Sequence, residues 1–320
     1  MTMIIQRKYG QLIKPTQLGY ILIITSAILY AFIHVIAKPM LGMPIAEEDI
    51  FGGNHGINPV VLAACIYILN GIFFTPIARK TIPILNIDKK NLLLLFSIGI
   101  AEVSALIVYF FGLKDSSAVN ASIFSNGEIV FSLLIAMMVF RERLPKNELV
   151  PFLMIIIGMI ILPVAYDLYD NDISTSSLLI GDILIILSGF FYAIDVNICK
   201  YVSNKIDAKR ITQITSFAAG IFALLILIIL NIPLDVDWKD IPMISLLAFA
   251  GTGIATLFFV MALRLLGGVR TILLYSTTAI FGIIFSNLIL SEEITSLNIF
   301  SIILVISGIY FLRNKLGRNE

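Results

Sequence analysis

The chain has 320 residues, of which 59% are hydrophobic and only 13% are charged. A chain with so few polar residues cannot cover the surface of a soluble globule, so the composition indicates a polytopic membrane protein. A formal net charge of +1 excludes a basic nucleic-acid-binding surface, and the two cysteines, Cys65 and Cys199, lie in different apolar segments and do not make a disulfide framework.

Apolar segments long enough to cross a membrane recur along the whole chain. A spanning helix needs about 20 apolar residues to cross ~30 Å of hydrocarbon. About ten segments qualify, at residues 18–37, 60–77, 92–113, 118–140, 149–165, 178–199, 211–232, 242–266, 271–290 and 297–312. The alternating pattern of a β-barrel is absent. We therefore expect an all-α integral membrane protein with about ten transmembrane helices, the first of which is too long for a signal peptide and is retained.

The loops between these segments alternate in charge. Basic residues in short loops favour the cytoplasmic side of a membrane. They cluster at both termini and in every second loop, whereas the other loops are rich in acids. The basic positions include Arg7, Lys8, Lys14, Arg79, Lys80, Lys89, Lys90, Arg141, Arg143, Lys200, Lys205, Lys209, Arg210, Arg264, Arg270, Arg313 and Lys315. This pattern predicts that both termini are cytoplasmic.

The two halves of the chain repeat a series of landmarks in the same order and at nearly the same spacing. The matched pairs are Gly19/Gly181, Ser26/Ser188, Tyr30/Tyr192, Lys38/Lys200, Lys114/Arg264, Phe131/Phe281, Glu142/Glu292 and Gly158/Gly308. We divide the chain into repeats at 1–165 and 166–320. Because each repeat has an odd number of helices, five, the second must enter the membrane from the opposite face. Inverted repeats recur in secondary transporters, with the substrate site near the midplane.

Short motifs in each half resemble those of a known family. The Glu-Ile-Val-Phe sequence that begins at Glu128, followed by Arg-Glu-Arg-Leu from Arg141 and then Gly158, is similar to the EamA repeat of the drug/metabolite transporter superfamily. The second copy begins at Thr278 and resembles it more loosely. The family often has a proline near the position of Glu128, which neither copy has, so the sequence gives no support for a proline kink. The resemblance implies two five-helix repeats and a transporter of small metabolites.

Ionisable side chains within hydrocarbon are costly and are by default functional candidates. Glu102 and Glu128 each lie about ten residues into a predicted helix, which places both ~15 Å deep and near the midplane. They could share a site that carries substrate and a proton. Ser125 lies on the same helical stripe as Glu128, and Tyr109 on that of Glu102. The alternative for each carboxyl is helix packing through neighbouring hydroxyls.

Further candidates for the substrate or proton pathway lie in the front part of each half and on the ninth helix. Asp195 shares a stripe with Tyr192, and His34 follows Tyr30 on the first helix. Inversion places Asp195 and His34 on opposite sides of the bilayer, where they would belong to an inner and an outer gate. The alternative for His34 is a helix-end imidazole bonded to a hydroxyl or a lipid headgroup.

Tyr275 and Thr278 begin and end a hydroxyl-rich patch that suits either a polar substrate or interhelical packing. We expect Lys38 and Lys200 to snorkel to the interface without a chemical role.

These features predict a transporter in the cell membrane of a prokaryote that uses no cofactor and no metal. His55 stands near several acids, but one histidine without fixed spacing is weak evidence for a metal site. The expected partners are a small-molecule substrate, protons and the lipid bilayer, with no nucleic acid. Motifs of membrane enzymes and of ATP-binding loops are absent, so we expect no enzyme activity, although a membrane enzyme or a scaffold remains the alternative. The sequence does not indicate the substrate, the direction of transport or the oligomeric state.

Overall fold

A computed structural model describes residues 14–42, 56–81, 83–139, 146–158 and 175–316. Apart from turns, the regular structure of these residues is helical. A short 3-10 turn lies at Ile84–Asn86, and a π-helical turn at Leu247–Ile254 connects two of the helices. In chain order the helices are α1 Pro15–Met40, α2 Pro59–Ala78, α3 Lys89–Asp115, α4 Ala118–Phe124, α5 Gly127–Val139, α6 Lys146–Ile156, α7 Thr175–Ser203, α8 Ala208–Ile229, α9 Ile241–Leu246, α10 Ala255–Leu266, α11 Gly268–Tyr275, α12 Thr278–Leu290 and α13 Ser296–Leu316.

The described helices confirm an all-helical, multi-pass membrane protein. Seven stretches are long and apolar enough to cross a membrane, and α13 contains a shorter apolar helix at Ser296–Phe311. The predicted segment 118–140 is divided between α4 and α5, and 149–165 extends into residues outside the description. The number of ten spans therefore stays a prediction.

Hydrogen bonds at the two ends of the bundle show how the helices run. At one end, which we call the Lys38 end, an ion pair from Lys38 to Glu292 joins the ends of α1 and α12. At the other, which we call the Arg210 end, Arg210 at the start of α8 donates to the Ala78 carbonyl at the end of α2. Ser116 at the end of α3 contacts Asp182 near the start of α7. Helix α1 thus finishes at the end where α7 begins, so the two halves run in opposite directions.

The core of the protein lies between these two halves. The most extensive packing pairs α3 with α7, α2 with α8 and α1 with α10, and each pair joins one half to the other. Helices α3 and α7 approach closely through two glycines. A Cβ on Gly112 would lie 2.6 Å from the Gly181 carbonyl oxygen, and one on Gly181 would lie 2.8 Å from the Gly112 oxygen. Small residues of this kind let membrane helices pack with their backbones in contact.

Two predicted helices are broken where we expected them to be continuous. The segment 118–140 turns at Ser125 and Asn126, and 271–290 turns at Ser276 and Thr277. No proline causes these breaks. Ser125 donates through its hydroxyl to the Ser122 carbonyl at 2.7 Å, and Ser276 and Thr277 make the equivalent bonds three residues back at 2.6 and 2.7 Å. Such side-chain bonds compete with the backbone amides for helical carbonyls. The breaks lie at nearly the same place in both repeats.

Candidate functional site

Two adjoining cavities lie between the halves. The cavity toward the Arg210 end, which we call the Arg210-side cavity, contains about 480 Å³ of space free of protein atoms, part of it open to solvent. The cavity toward the Lys38 end, the Lys38-side cavity, contains about 440 Å³ of such space. Among the described residues four line both cavities, and we call them the shared wall. They are Tyr30, Glu128, Tyr192 and Tyr275.

Every residue that the sequence singled out for the substrate or proton pathway lines one of these cavities. The shared wall contains four of them. Glu102 and Asp195 line the Arg210-side cavity. The Lys38-side cavity is lined by His34, Tyr109, Ser125 and Thr278. The structure therefore brings Glu102 and Glu128 to one cavity, and it keeps His34 and Asp195 in different cavities.

The shared wall is built around a cluster of three tyrosines from three helices. The ring of Tyr30 on α1 meets Tyr192 on α7 edge-to-face, with centroids 6.1 Å apart. It also meets Tyr275, at the end of α11, at 5.7 Å. Edge-to-face contacts of this kind are favourable between aromatic rings. The break after Tyr275 ends α11 beside this cluster, so a broken helix supplies one of its three rings.

A stripe on α1 follows the whole path from one cavity to the end of the bundle. Ser26, Tyr30, His34 and Lys38 are four residues apart, so they lie on one face of the helix at steps of about 6 Å. Ser26 lines the Arg210-side cavity, Tyr30 lines both, and His34 lines the Lys38-side cavity. Lys38 lies one step further. The α1 stripe therefore places residues of four different chemistries in order along one path.

The second repeat carries the same stripe in the opposite direction. On α7 the equivalent positions are Ser188, Tyr192, Val196 and Lys200. Ser188 lines the Lys38-side cavity, and Val196 lines the Arg210-side cavity. The serines of the two stripes therefore lie on opposite sides of the shared wall, as an inverted repeat requires.

Three carboxyl groups are the acidic side chains in the described lining of the cavities. Glu102 and Glu128 are only 4% and 7% exposed. The Glu102 side chain lies beside the hydroxyls of Tyr67 and Thr256. One oxygen of Glu128, Oε1, is buried and has no hydrogen-bond partner among the described residues. Asp195 is less deeply buried and lies within electrostatic range of both glutamates. No Lys or Arg is among the described residues that line either cavity.

Glu128 owes its position to the first break. It follows the Ser125–Asn126 turn directly and lies in the first turn of α5. The amino end of a helix carries a partial positive charge, which favours a negative side chain there. Discontinuous helices in transporters present such ends to substrates near the midplane. The same break therefore interrupts the helix and places a carboxyl beside the cavities.

His34 differs from the alternative that we considered for it. We weighed a helix-end imidazole bonded to a hydroxyl or a headgroup, but the side chain is only 5% exposed and its Nε2 has no hydrogen-bond partner among the described residues. Its ring instead stacks on Tyr109 at a centroid distance of 4.1 Å. The α3 helix packs deeply between the halves, and this burial separates His34 from the lipid surface.

Lys38 corrects our expectation of a snorkelling side chain. Its ammonium lies 2.6 Å from Oε1 of Glu292. The same Oε1 accepts a hydrogen bond from the Ala118 amide at 3.0 Å, and Oε2 accepts one from the Val119 amide at 2.9 Å. Lys38 and Glu292 are repeat landmarks in the sequence, but we did not assign either of them to the site. Both follow predicted helices that end at the same face of the membrane, and this was the signal that could have joined them. Lys200, by contrast, is exposed, as we expected.

Several other residues in or beside the cavities gave no signal in the sequence. Tyr67 on α2 is fully buried beside Glu102, and Thr215, Thr256 and Phe259 line the Arg210-side cavity. They were missed because hydroxyl and aromatic residues are common in membrane helices. Within the described residues, no group of three or more His, Cys, Asp and Glu side chains is placed to hold a metal ion. His55 lies outside the described residues.

Two oppositely directed halves of spanning helices with a cavity between them are an arrangement that recurs among membrane transporters. The sequence model of the EamA-like transporter family matches this chain twice, at residues 17–163 and 179–314. The chain belongs to the EamA-like transporter family.

The chain is also similar to a curated relative in sequence and to a solved structure in fold. A protein of Methanothermobacter thermautotrophicus (strain Delta H), described as an uncharacterized transporter, is 28% identical over 311 residues, which cover 92% of this chain and 85% of the relative. A solved structure described as "Crystal structure of protein" is similar in fold, with a TM-score of 0.66 and 14% identity, over 94% of this chain and 98% of its own. At this identity the likeness concerns the fold alone.

Proposed function

We propose that this protein is a secondary transporter that moves a small cationic or zwitterionic metabolite, such as an amino acid or a drug-like solute, across the cell membrane of a prokaryote by alternating access. One observation carries the proposal. Three carboxyls and four tyrosines line adjoining cavities between the repeats, and the described lining contains no Lys or Arg.

The chemistry of the lining supports a positively charged solute. A cation is attracted both by carboxylates and by the faces of aromatic rings, and desolvated cation–π contacts contribute about 2 kcal/mol. Ser125 and Thr278 add hydroxyls in the Lys38-side cavity, where they suit the polar part of an amphiphilic molecule. An anion would meet the charge of Glu102, Glu128 and Asp195 without a compensating base in the described lining. The site therefore favours cations and zwitterions.

Proton coupling follows from the environment of Glu128. A buried carboxylate without a hydrogen-bond partner is costly in its charged form. A proton neutralises it, and a substrate that binds better to one protonation state of the site would link proton movement to solute movement. Glu102 lies in the same cavity and could share this proton. A ligand shifts a conformational equilibrium only through its differential affinity, and this preference would supply one.

The orientation follows from the basic loops. The Arg210 end carries Arg79, Lys80, Lys89 and Lys90, and basic residues favour the cytoplasmic side. We assign the Arg210 end to the cytoplasm, the Lys38 end to the outside, and both termini to the cytoplasm. A membrane enzyme is not favoured by any feature of the described cavities. A scaffold would tolerate apolar replacement of the cavity acids, which the following experiment examines.

Purified protein is first screened with amines and amino acids for ligands that raise its melting temperature, because such a ligand binds the folded state preferentially. Hits are then tested in proteoliposomes with the wild type and Glu128→Gln. We expect Glu128→Gln to retain substrate exchange but to lose accumulation driven by an imposed pH gradient. Glu293→Gln, a change at an exposed acid outside the cavities, is the matched control and should behave as the wild type.

Three outcomes are informative. Loss of exchange and binding together in Glu128→Gln would make Glu128 a substrate ligand and would contradict its coupling role. Unchanged accumulation in that variant would exclude Glu128 from coupling. Failure of wild-type liposomes to move any ligand that stabilises the protein would overturn the transport proposal itself.

A further inference from the structure

We propose that Lys38 and Glu292 form a charged gate that closes the Lys38 end of the transport path, and that the pair must separate when this end opens. The inference rests on the proposed alternating-access function. It assigns a role in the transport cycle to two residues that do not line either cavity.

Glu292 connects three helices at one point. Its carboxylate lies 2.6 Å from the Lys38 ammonium at the end of α1, and it follows the end of α12. It also accepts the amides of Ala118 and Val119, the first two residues of α4. Helix α4 is the first part of the broken helix that leads to Glu128. One carboxylate therefore ties together the first repeat, the second repeat and a helix that reaches the shared wall.

The ion pair lies beyond the Lys38-side cavity, toward the Lys38 end of the bundle. Lys38 is one helical step beyond His34 on the α1 stripe, and His34 stacks on Tyr109 at 4.1 Å. Tyr109 lies within electrostatic range of Glu292. The order along the path is the tyrosine cluster, then the His34–Tyr109 stack, then the ion pair. A solute that leaves this cavity along the α1 stripe would have to pass all three layers.

The burial of the pair suits a contact that forms and breaks. The two side chains are 13% and 18% exposed, so they are partly shielded but still reach water. Fully exposed pairs contribute little to stability, whereas breaking a fully buried pair leaves costly uncompensated charges. A pair between these limits can hold an end closed and can still separate when its charges gain water.

The repeat-equivalent lysine at the Arg210 end is Lys200. It lies against Gly268, the first residue of α11, where a Cβ would come 2.8 Å from Lys200 Cδ. This is the counterpart of Lys38 beside the start of α4. Glu142, which matches Glu292 in the repeat, lies outside the described residues. In this conformation the Lys38–Glu292 ion pair is formed at the Lys38 end.

The test needs no substrate, because it measures the accessibility of two thiols. The first reporter is a cysteine at Ser125, which lines the Lys38-side cavity, in a Cys65→Ala, Cys199→Ala background. The second is the native Cys199, which lines the Arg210-side cavity, in a Cys65→Ala background. Each is labelled in oriented vesicles with impermeant trimethylammonium-ethyl methanethiosulfonate. A cysteine at Ser176, at the start of α7, identifies the face of the Lys38 end, which we expect to be external.

We expect Lys38→Met to raise the labelling rate of the Ser125 reporter from the Lys38 face by about fivefold or more, and to lower that of Cys199 from the other face, because coupled sites typically differ by such factors. Lys38→Met leaves Glu292 on the α4 amides, so it removes the ion pair alone. Lys38→Arg keeps the charge and should leave both rates near wild type. Lys114→Met, at an exposed lysine of the same end, is the matched control.

Opposite changes in the two reporters distinguish a gate from a contact that only stabilises the fold. If both rates rise together, the variant has loosened the bundle and the gate is wrong. If neither rate changes, or if Lys38→Arg behaves as Lys38→Met, the charge pair does not control access and the proposal is also overturned. Because no substrate is used, failure of the transport assay would leave this result intact, and failure here would leave the transport assay intact.

Discussion

The stripes on α1 and α7 carry the same order of residues in opposite directions, and the residue type differs at the third of their four levels. Both begin with a serine that lines a cavity and continue to a tyrosine of the shared wall. At the third level α1 has His34, stacked on Tyr109, whereas α7 has Val196 with Asp195 beside it. Both stripes end with a lysine, and Lys38 is paired with Glu292.

The difference shows where the two repeats could diverge. The tyrosines touch each other across the interface between the repeats, so a change in one ring would alter the packing of the other. The outer levels do not meet their counterparts, because inversion places them at opposite ends of the bundle. Their side chains can therefore differ without disturbing each other. The Lys38 side has the His34–Tyr109 stack and the ion pair, and the Arg210-side cavity has the carboxyl of Asp195.

We expect the largest effect from the tyrosines of the shared wall, which both stripes carry. We expect Tyr30→Ala and Tyr192→Ala each to lower substrate exchange in proteoliposomes by about tenfold or more, since each removes a ring that separates the cavities and could contact a cation with about 1–2 kcal/mol. Tyr310→Ala on α13, where the tyrosine is 56% exposed, is the control and should exchange normally. A strong effect from only one of the two tyrosines would break the equivalence of the stripes.

A smaller effect should come from the level at which the stripes differ. His34→Val gives α1 the residue type of α7, and it removes the stack on Tyr109. Aromatic pairs contribute about 0.5–1.5 kcal/mol beyond their buried area, so the detergent-purified variant should melt a few degrees below the wild type. His34→Phe keeps a ring at this position and should recover part of the loss. Equal melting temperatures for the valine and phenylalanine variants would show that the stack contributes nothing.

Much of this arrangement follows from the sequence because hydrophobic length and helical spacing are local properties. The membrane class, the helical segments and the stripe through Tyr30 and His34 depend only on residues that are near each other in the chain. The cavity acids were found because a carboxyl such as Glu128 is conspicuous in an apolar segment. The repeat then placed Tyr192 opposite Tyr30 without knowledge of any contact.

What the sequence did not show depends on competition and on distant contacts. At the break beside Ser125 a hydroxyl bonds to a carbonyl of the helix, but Ser188 makes the same kind of bond within the unbroken α7, so the residue type alone does not predict a break. The pairing of Lys38 with Glu292 joins residues from opposite halves, and nothing local distinguishes this lysine from Lys200. Tyr67 was missed because its importance comes only from its position beside Glu102.

In the proposed gate, the Lys38 end exists in a closed and an open form, and the Lys38–Glu292 ion pair favours the closed form. Spin labels at Lys114 and Glu293, two exposed residues of this end, allow the separation to be measured by double electron–electron resonance in a Cys65→Ala, Cys199→Ala background. We predict one dominant short distance in the otherwise unmodified protein, and a second, longer distance whose population grows when Lys38→Met is added. A single distance distribution that is the same with and without Lys38→Met would contradict the account.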